Sequence, residues 1–170
     1  MSNMGTEIEM AEAAGAPLLA VVPVSAGGSV PKPPGEALIE AVRFARCTLQ
    51  MLPHGGPRKI GVLPVGDIGA ARDIGVYLAH SYAEAGKSVA CVVGDTDDLP
   101  AGQWMDRVKF VQSATEANRE YVVFAGPGGD GVVVVGEESD LRGVRTAAER
   151  ARSSGAHVLG EIVLRRSPSP

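Results

Sequence analysis

The sequence predicts an α/β fold in which a mostly parallel sheet lies between two layers of helices. Strand-like and helix-like segments alternate along the chain, and residues 59–97 read as strand, tight glycine turn, helix and strand. That order is a βαβ unit. Several strand-like segments are also unbroken apolar runs, such as GVVVV at 131–135. Continuous runs of this kind are typical of parallel strands that are buried on both faces.

The composition is that of an ordinary globular chain. It has 170 residues, 45% of them hydrophobic and 21% charged, which fits one domain. The formal net charge of −4 and the absence of a basic stripe argue against nucleic acid as a partner. No apolar run approaches the roughly 20 residues of a membrane span, and no signal peptide is evident. We therefore expect a cytoplasmic protein, with any contact to the inner membrane made through a partner.

Three regions are predicted. Residues 1–34 form an N-terminal arm or linker with a short helix and a strand, Leu18–Val22, that ends at Pro23. Residues 35–166 form the α/β domain, and residues 167–170 are a disordered tail that continues a frayed basic end beginning at Arg165. The domain begins with a helix over Glu36–Met51, because Leu38, Val42, Ala45 and Leu49 make one apolar stripe.

The second half of the chain is predicted to alternate in the same way. Residues 126–129, GPGG, are expected to be a plain loop between adjacent strands, with a backbone anion nest as the alternative. The two cysteines, Cys47 and Cys91, are expected to be small buried hydrophobes and not a disulfide or metal pair. The remaining predicted elements are a helix at Gln112–Arg119, strands at Tyr121–Ala125 and Gly131–Val135, a helix at Ser139–Ser153 capped by Ser139, and a strand at Val158–Leu164.

The central turn falls where a βαβ unit places a phosphate group. Gly66 and Gly69 bracket it, and the helix that follows offers free N–H groups and the positive end of its dipole. Asp95 and Asp97 follow the second strand of the unit.

Three further segments make the chain recognisable by their order and spacing. Glu40, Arg43 and Arg46 form an E-x-x-R-x-x-R pattern on the first long helix, Asp130-Gly131 precede four valines, and residues 155–160 read GAHVLG. In this the chain resembles the cytoplasmic domain of bacterial tyrosine kinases that work with exopolysaccharide and capsule export, among the MinD/ParA-like deviant P-loop ATPases. The resemblance implies a P-loop NTPase-like fold and ring-like self-association through Glu40, Arg43 and Arg46.

The phosphate loop departs from that family. The family's loop ends in Gly-Lys-Ser/Thr, and the nearest residues here are Arg72 and Asp73. Asp73 cannot ligate Mg²⁺ as a hydroxyl does, and Asp67 adds a second negative charge. Two like charges about 4 Å apart repel by about 4 kcal/mol at intermediate dielectric, which opposes a triphosphate. A structural role competes for Asp73, because an acid in the first turn of a helix stabilises it through the dipole.

Other family positions are partly kept and partly lost. Asp95 and Asp97 resemble the family's Asp-x-Asp, whose first acid positions Mg²⁺, although acids in a loop after a strand are also ordinary. The acid that ends the next strand in the family is replaced by Ala125, and the adenine-contacting asparagine falls at about Arg165. The tyrosine-rich tail of the active kinases is absent.

Taken together, these departures predict a non-catalytic scaffold or regulator of exopolysaccharide or capsule assembly, with no catalytic residue, cofactor or metal. It would act through protein partners as a homo- or hetero-oligomer, although ion pairing along the helix face could equally explain Glu40, Arg43 and Arg46. One alternative is a divergent tyrosine kinase or ATPase that uses ATP and Mg²⁺, with Arg72 on the phosphates and Asp95 and Asp97 on the metal. Another is a nucleotide-binding switch without turnover. The vestigial nucleotide-binding residues would be Gly66, Gly69, Arg72, Asp73, Asp95 and Asp97.

Overall fold

The described chain forms one parallel sheet with helices on both faces. A computed structural model describes residues 4–25, 30, 34–94 and 107–166, and of residues 4–6 only the backbone. The sheet has seven strands in the order β1-β7-β6-β2-β5-β3-β4, and every pairing in the described residues is parallel. The strands are β1 (Leu18–Val24), β2 (Lys59–Pro64), β3 (Val89–Val92), β4 (Val108–Val111), β5 (Tyr121–Phe124), β6 (Gly131–Glu137) and β7 (His157–Arg166). The helices are α1 (Met4–Ala14), α2 (Glu36–Gln50), α3 (Ile68–Glu84) and α4 (Leu141–Ser153).

The valine runs fill the two cores in alternation. Side chains of a strand point to opposite faces in turn, so Val133 and Val135 pack with α2 and α3, whereas Val134 packs with α1 and α4. The predicted apolar stripe of α2 is the face that it buries. The predicted three-layer α/β fold is confirmed.

The predicted N-terminal arm is built into this sheet. β1 is one of the two edge strands of the described sheet; it pairs with β7 and continues past Pro23 to Val24. Proline is tolerated there because an edge strand leaves one row of N–H groups without a partner in the ladder. α1 packs on α4 and β7, and Arg165 of β7 forms an ion pair with Glu7 of α1 at 3.0 Å.

Three local predictions are wrong. Residues 112–119 form only a single 3₁₀ turn, Ala114–Glu116, and no α-helix. α4 is capped by Asp140, which accepts a hydrogen bond from the Gly143 N–H at 3.0 Å, and not by Ser139. The basic end is not frayed at Arg165, because this arginine and Arg166 complete β7. Arg166 pairs with Glu137 at the end of β6, and Arg165 pairs with Glu138, the next residue.

The glycine-rich segment 126–130 is not a loop between adjacent strands, because β2 lies between β5 and β6. The segment crosses β2 on the α1/α4 face without a helix. The Gly126 carbonyl accepts the Val62 N–H at 2.9 Å, and the Asp130 N–H donates to the Lys59 carbonyl at 3.0 Å. The crossing is possible because Gly61 has no side chain: a Cβ there would lie 2.3 Å from the Gly128 carbonyl oxygen.

This contact predicts that Gly61→Ala is strongly destabilising, by about 3 kcal/mol, because overpacking that pushes on backbone cannot be relieved by a rotamer change. Urea unfolding followed by circular dichroism measures the change. Gly126→Ala is the matched control, since nothing lies within 4 Å of its Cβ position. Equal stability of the two variants would contradict the tight crossing.

Candidate functional site

The candidate site is the turn between β2 and α3, residues 65–67, together with the first residues of α3, at the carboxyl edge of the sheet. The Val65 N–H donates to the Val135 carbonyl at 2.9 Å, which ties the start of the turn to β6. Gly66 has φ of +90°, a conformation that favours glycine. β2 therefore delivers the chain to the N-terminus of α3, where a βαβ unit presents its N–H groups to an anion.

An internal carboxylate already occupies this N-terminus. Asp67 is the N-cap of α3, and its Oδ1 accepts the Ala70 N–H at 3.0 Å. Gly69 lies beneath it, with its Cβ position 3.3 Å from the same oxygen. An N-cap carboxylate satisfies a free N–H and interacts favourably with the helix dipole. A phosphate group at this position would compete with Asp67 for the same donor and would meet its negative charge.

Asp73 was predicted to lie in the first turn of the helix. In the structure, Arg72 and Asp73 both lie beyond that turn. Because α3 begins at Ile68, both residues belong to its second turn, and the first turn contains no acid. The dipole explanation therefore fits Asp67 and not Asp73.

These two residues differ in burial and in neighbours. Asp73 is buried, 9% exposed, whereas Arg72 is half-buried. Burial and, secondarily, the charge of Asp73 raise the pKa of Tyr77 to about 12. Burial likewise raises the pKa of the Cys91 thiol to about 12, and the positive charge of Arg72 opposes this shift. Arg72 thus lies near β3, whereas Asp73 lies near Tyr77, on the side of α3 that meets α2.

The second acidic motif cannot be placed, since Asp95 and Asp97 lie outside the described residues. β3 reaches the same edge of the sheet as the turn, and the Ala125 N–H donates to the Val92 carbonyl at 2.9 Å. Ala125 also packs under α3, because a Cβ on Gly75 would be 2.9 Å from the Ala125 Cα. In the part of the chain that is described, no three His, Cys, Asp or Glu side chains are grouped so that they could hold a metal ion.

The arginines of the E-x-x-R-x-x-R pattern contact α3. Arg43 pairs with Glu84 at 3.4 Å, and Arg46 donates from Nε to the Ser81 hydroxyl at 2.9 Å. Neither arginine pairs with Glu40, which is exposed. Ion pairing within α2, the structural alternative for these three residues, is therefore not the arrangement that forms; the arginines instead hold α2 against α3.

Two large apolar side chains are exposed on the outer side of α2 and at the residue that follows it. Phe44 is 63% exposed and Met51 is 85% exposed, and residues seven apart lie on the same side of a helix. Phe44 and Ala41 also border a groove of about 260 Å³ along β1. Cys47, expected to be buried, is exposed on α2. The exposure of Phe44 and Met51 was not predicted from the sequence, although their positions outside the stripe of buried side chains were a signal for it.

A larger groove of about 530 Å³ lies at the opposite, amino edge of the sheet. It lies between the glycine-rich crossing and the end of α4, with Asp130, Ser154 and His157 among its lining residues. Its position separates it from the turn after β2.

None of the described helices has the length and apolar character needed to cross a membrane.

The cap contact predicts the effect of Asp67→Ala. Loss of an N-cap carboxylate should lower the free energy of unfolding by about 1 kcal/mol, which a urea titration can measure. Asp130→Ala, at an exposed aspartate that caps no helix, should change it by less than about 0.5 kcal/mol. If Asp67→Ala leaves the stability unchanged, its carboxylate does not hold the start of α3.

Comparison with known proteins identifies the fold. No protein-family profile matches the chain, and no curated protein matches its sequence. The chimerical protein CapA2B2 superposes with a TM-score of 0.70 at 18% identity over 96% of this chain and 100% of that one. The BceF tyrosine kinase domain superposes with a TM-score of 0.66 at 16% identity over 92% of this chain and 96% of that one. The predicted resemblance is thus confirmed for the fold: this chain folds like the BceF tyrosine kinase domain.

Proposed function

We propose that the protein is a non-catalytic scaffold or regulator in exopolysaccharide or capsule assembly, acting through association with other proteins. The observation that carries the non-catalytic part is the Asp67 carboxylate on the N-terminus of α3, at 3.0 Å from the Ala70 nitrogen. The link to polysaccharide assembly rests on the sequence resemblance and on the shared fold.

Electrostatics argue against phosphoryl transfer at this turn. Such chemistry depends almost entirely on positioning and on cationic groups around the phosphates. Here the turn carries Asp67 and the buried Asp73 follows in the second turn, while Arg72 lies near Cys91 of β3. Each lost stabilising group typically costs on the order of 10²-fold in rate. With the remaining groups, the rate of phosphoryl transfer at this turn would be negligible.

The outer face of α2 is the surface proposed for association. Glu40, Phe44 and Met51 are exposed there, whereas Arg43 and Arg46 hold the helix to α3. Exposed large apolar side chains beside charged ones are the composition of a protein interface. The partner would be a second copy of the chain or an active kinase of the same pathway.

The second candidate is a divergent tyrosine kinase or ATPase, and the third a nucleotide switch without turnover. Both draw on the fold shared with a tyrosine kinase domain. They require Arg72 to reach the phosphates, and the enzyme also needs Asp95 and Asp97 on Mg²⁺. Nucleotide binding separates the proposal from both.

Titration calorimetry with ATP and ADP, each with and without Mg²⁺, should detect no binding at millimolar nucleotide. Asp67→Asn keeps the capping hydrogen bond but removes the charge, so it should gain weak, millimolar affinity if that charge is the main obstacle. Asp130→Asn, the matched exposed control, should gain none. Micromolar, Mg²⁺-dependent binding to the wild type would overturn the proposal, and ATP consumption abolished by Asp95→Ala would favour the enzyme.

The association surface predicts a mass above that of the monomer in light scattering after size exclusion. Glu40→Arg combined with Phe44→Ser should lower that mass, because the pair reverses a charge and removes the apolar contact. Ile8→Ser, which replaces an exposed apolar residue on α1 that is 52% accessible, should leave it unchanged. An unaltered mass in the double variant would count against α2 as the interface.

A further inference from the structure

Four basic side chains come together at the amino edge of the sheet. Arg58 and Lys59 stand at the start of β2, Lys87 lies just before β3, and Arg119 lies just before β5. Because β5 lies between β2 and β3, these residues, which are far apart in the sequence, mark the starts of three neighbouring strands. We call them the amino-edge basic patch. Lys87 is half-buried and the other three are exposed.

Backbone hydrogen bonds hold the three strand starts side by side. The Val122 N–H donates to the Arg58 carbonyl at 2.8 Å, and the Tyr121 N–H donates to the Ser88 carbonyl at 2.9 Å. The Arg119 guanidinium lies 3.5 Å from the Ser88 hydroxyl. Since adjacent strands are about 4.8 Å apart, the patch spans roughly 10 Å along the edge and does not converge on one point. This spacing suits a surface with many negative charges better than a single small anion.

Tyr121 holds two of these cations without neutralising them. Its hydroxyl accepts a hydrogen bond from Arg58 Nη1, and the guanidinium carbon of Arg58 lies 4.6 Å from the centre of its ring. The Lys87 nitrogen lies 6.0 Å from the same centre. Tyr121 is itself buried and stacks on Tyr82. A neutral aromatic ring attracts a cation but, unlike a carboxylate, it leaves the positive charge uncancelled.

Acids do not compensate the patch. Within the ranges that the structure describes, none of its four residues forms an ion pair. Glu84, at the end of α3, is bound by Arg43. Glu120 and Asp130, which precede β5 and β6, are exposed and carry no ion pair either. The positive charge at this edge is therefore a local excess, on a chain whose formal net charge is −4.

An exposed apolar side chain follows α2 at the same edge. α2 connects the end of β1 to the start of β2, so it ends at the amino edge. The next residue, Met51, is 85% exposed. The turn after it lies against the patch, since a Cβ on Gly55 would be 3.7 Å from Arg58 Nη1. The phosphate backbone of a nucleic acid offers such a side chain no apolar contact, whereas a bilayer has hydrocarbon beneath its headgroups.

We propose that the amino-edge basic patch binds the surface of an anionic lipid bilayer, with Met51 entering the headgroup region. Each Lys or Arg near an anionic surface strengthens binding about fivefold. Four of them give a preference of about 10²- to 10³-fold over a neutral bilayer. Bound in this way, the chain directs its carboxyl edge, with the turn at Asp67, away from the bilayer. The proposal does not depend on association through α2.

Co-sedimentation of the whole chain with lipid vesicles tests this. Vesicles of equal parts phosphatidylglycerol and phosphatidylcholine should bind the protein. Vesicles of phosphatidylcholine alone should bind it about 100-fold more weakly or worse. Binding should fall steeply between about 0.1 M and about 1 M salt, because the Debye length shortens from about 10 Å to about 3 Å.

Matched variants separate the patch from overall charge. Lys59→Gln combined with Arg119→Gln should weaken binding to the anionic vesicles about 25-fold. Arg142→Gln combined with Arg145→Gln removes the same charge from exposed positions of α4 and should leave binding nearly unchanged. Met51→Ser should weaken it about fivefold without altering its salt dependence, because an apolar contact is not screened. All five positions are exposed, so the variants should fold as the wild type does.

Three outcomes would overturn the proposal: equal binding to neutral and anionic vesicles, unchanged binding in the Lys59 and Arg119 double variant, or equal losses in the two double variants. Tighter binding to duplex DNA than to anionic vesicles, at the same phosphate concentration, would also overturn it in favour of a nucleic-acid surface. Unchanged binding of Met51→Ser would refute the entry of this side chain into the headgroup region.

Discussion

The close approach of the glycine-rich crossing to Gly61 is the constraint on which the arrangement of the sheet depends. A parallel strand order normally needs a helix for each crossover, yet β5 and β6 are connected across β2 by the short segment 125–130, which contains no helix. The 2.3 Å between a Cβ at Gly61 and the Gly128 carbonyl oxygen shows that only glycine permits it. With β2 held centrally, the turn after it reaches the N-terminus of α3, and the Asp67 cap follows from that position.

The fold class was predictable because its signals are local and strong. Valine runs and the buried stripe of α2 predicted strands and helix within one or two residues. The position of β2 between β5 and β6 was not predictable. The valine runs of β5 and β6 are separated by only a few residues, and such short spacing ordinarily means that two strands are adjacent. The strand β1 and the end of β7 extended beyond prediction because of pairing partners distant in sequence, such as Glu138 for Arg165.

The candidate site was predictable in location but not in detail. The glycine turn and the charge of Asp67 were evident, whereas the hydrogen bond of that carboxylate to Ala70 depends on where α3 begins. The positions of Arg72 and Asp73 likewise depend on that boundary. Glu161 of β7 is buried, and neither of its carboxyl oxygens has a hydrogen-bond partner in the described residues. This could not be predicted from the sequence, because a single acid in an apolar strand looks the same whether or not a cation contacts it.

The crossing over β2 is also short. Its two anchors, Gly126 on Val62 and Asp130 on Lys59, lie on opposite sides of β2 and are only four residues apart. Deleting one residue there would pull β5 and β6 out of register. Adding residues costs only loop-closure entropy, about 0.6 kcal/mol per doubling of length. We therefore expect this segment to tolerate insertions but not deletions.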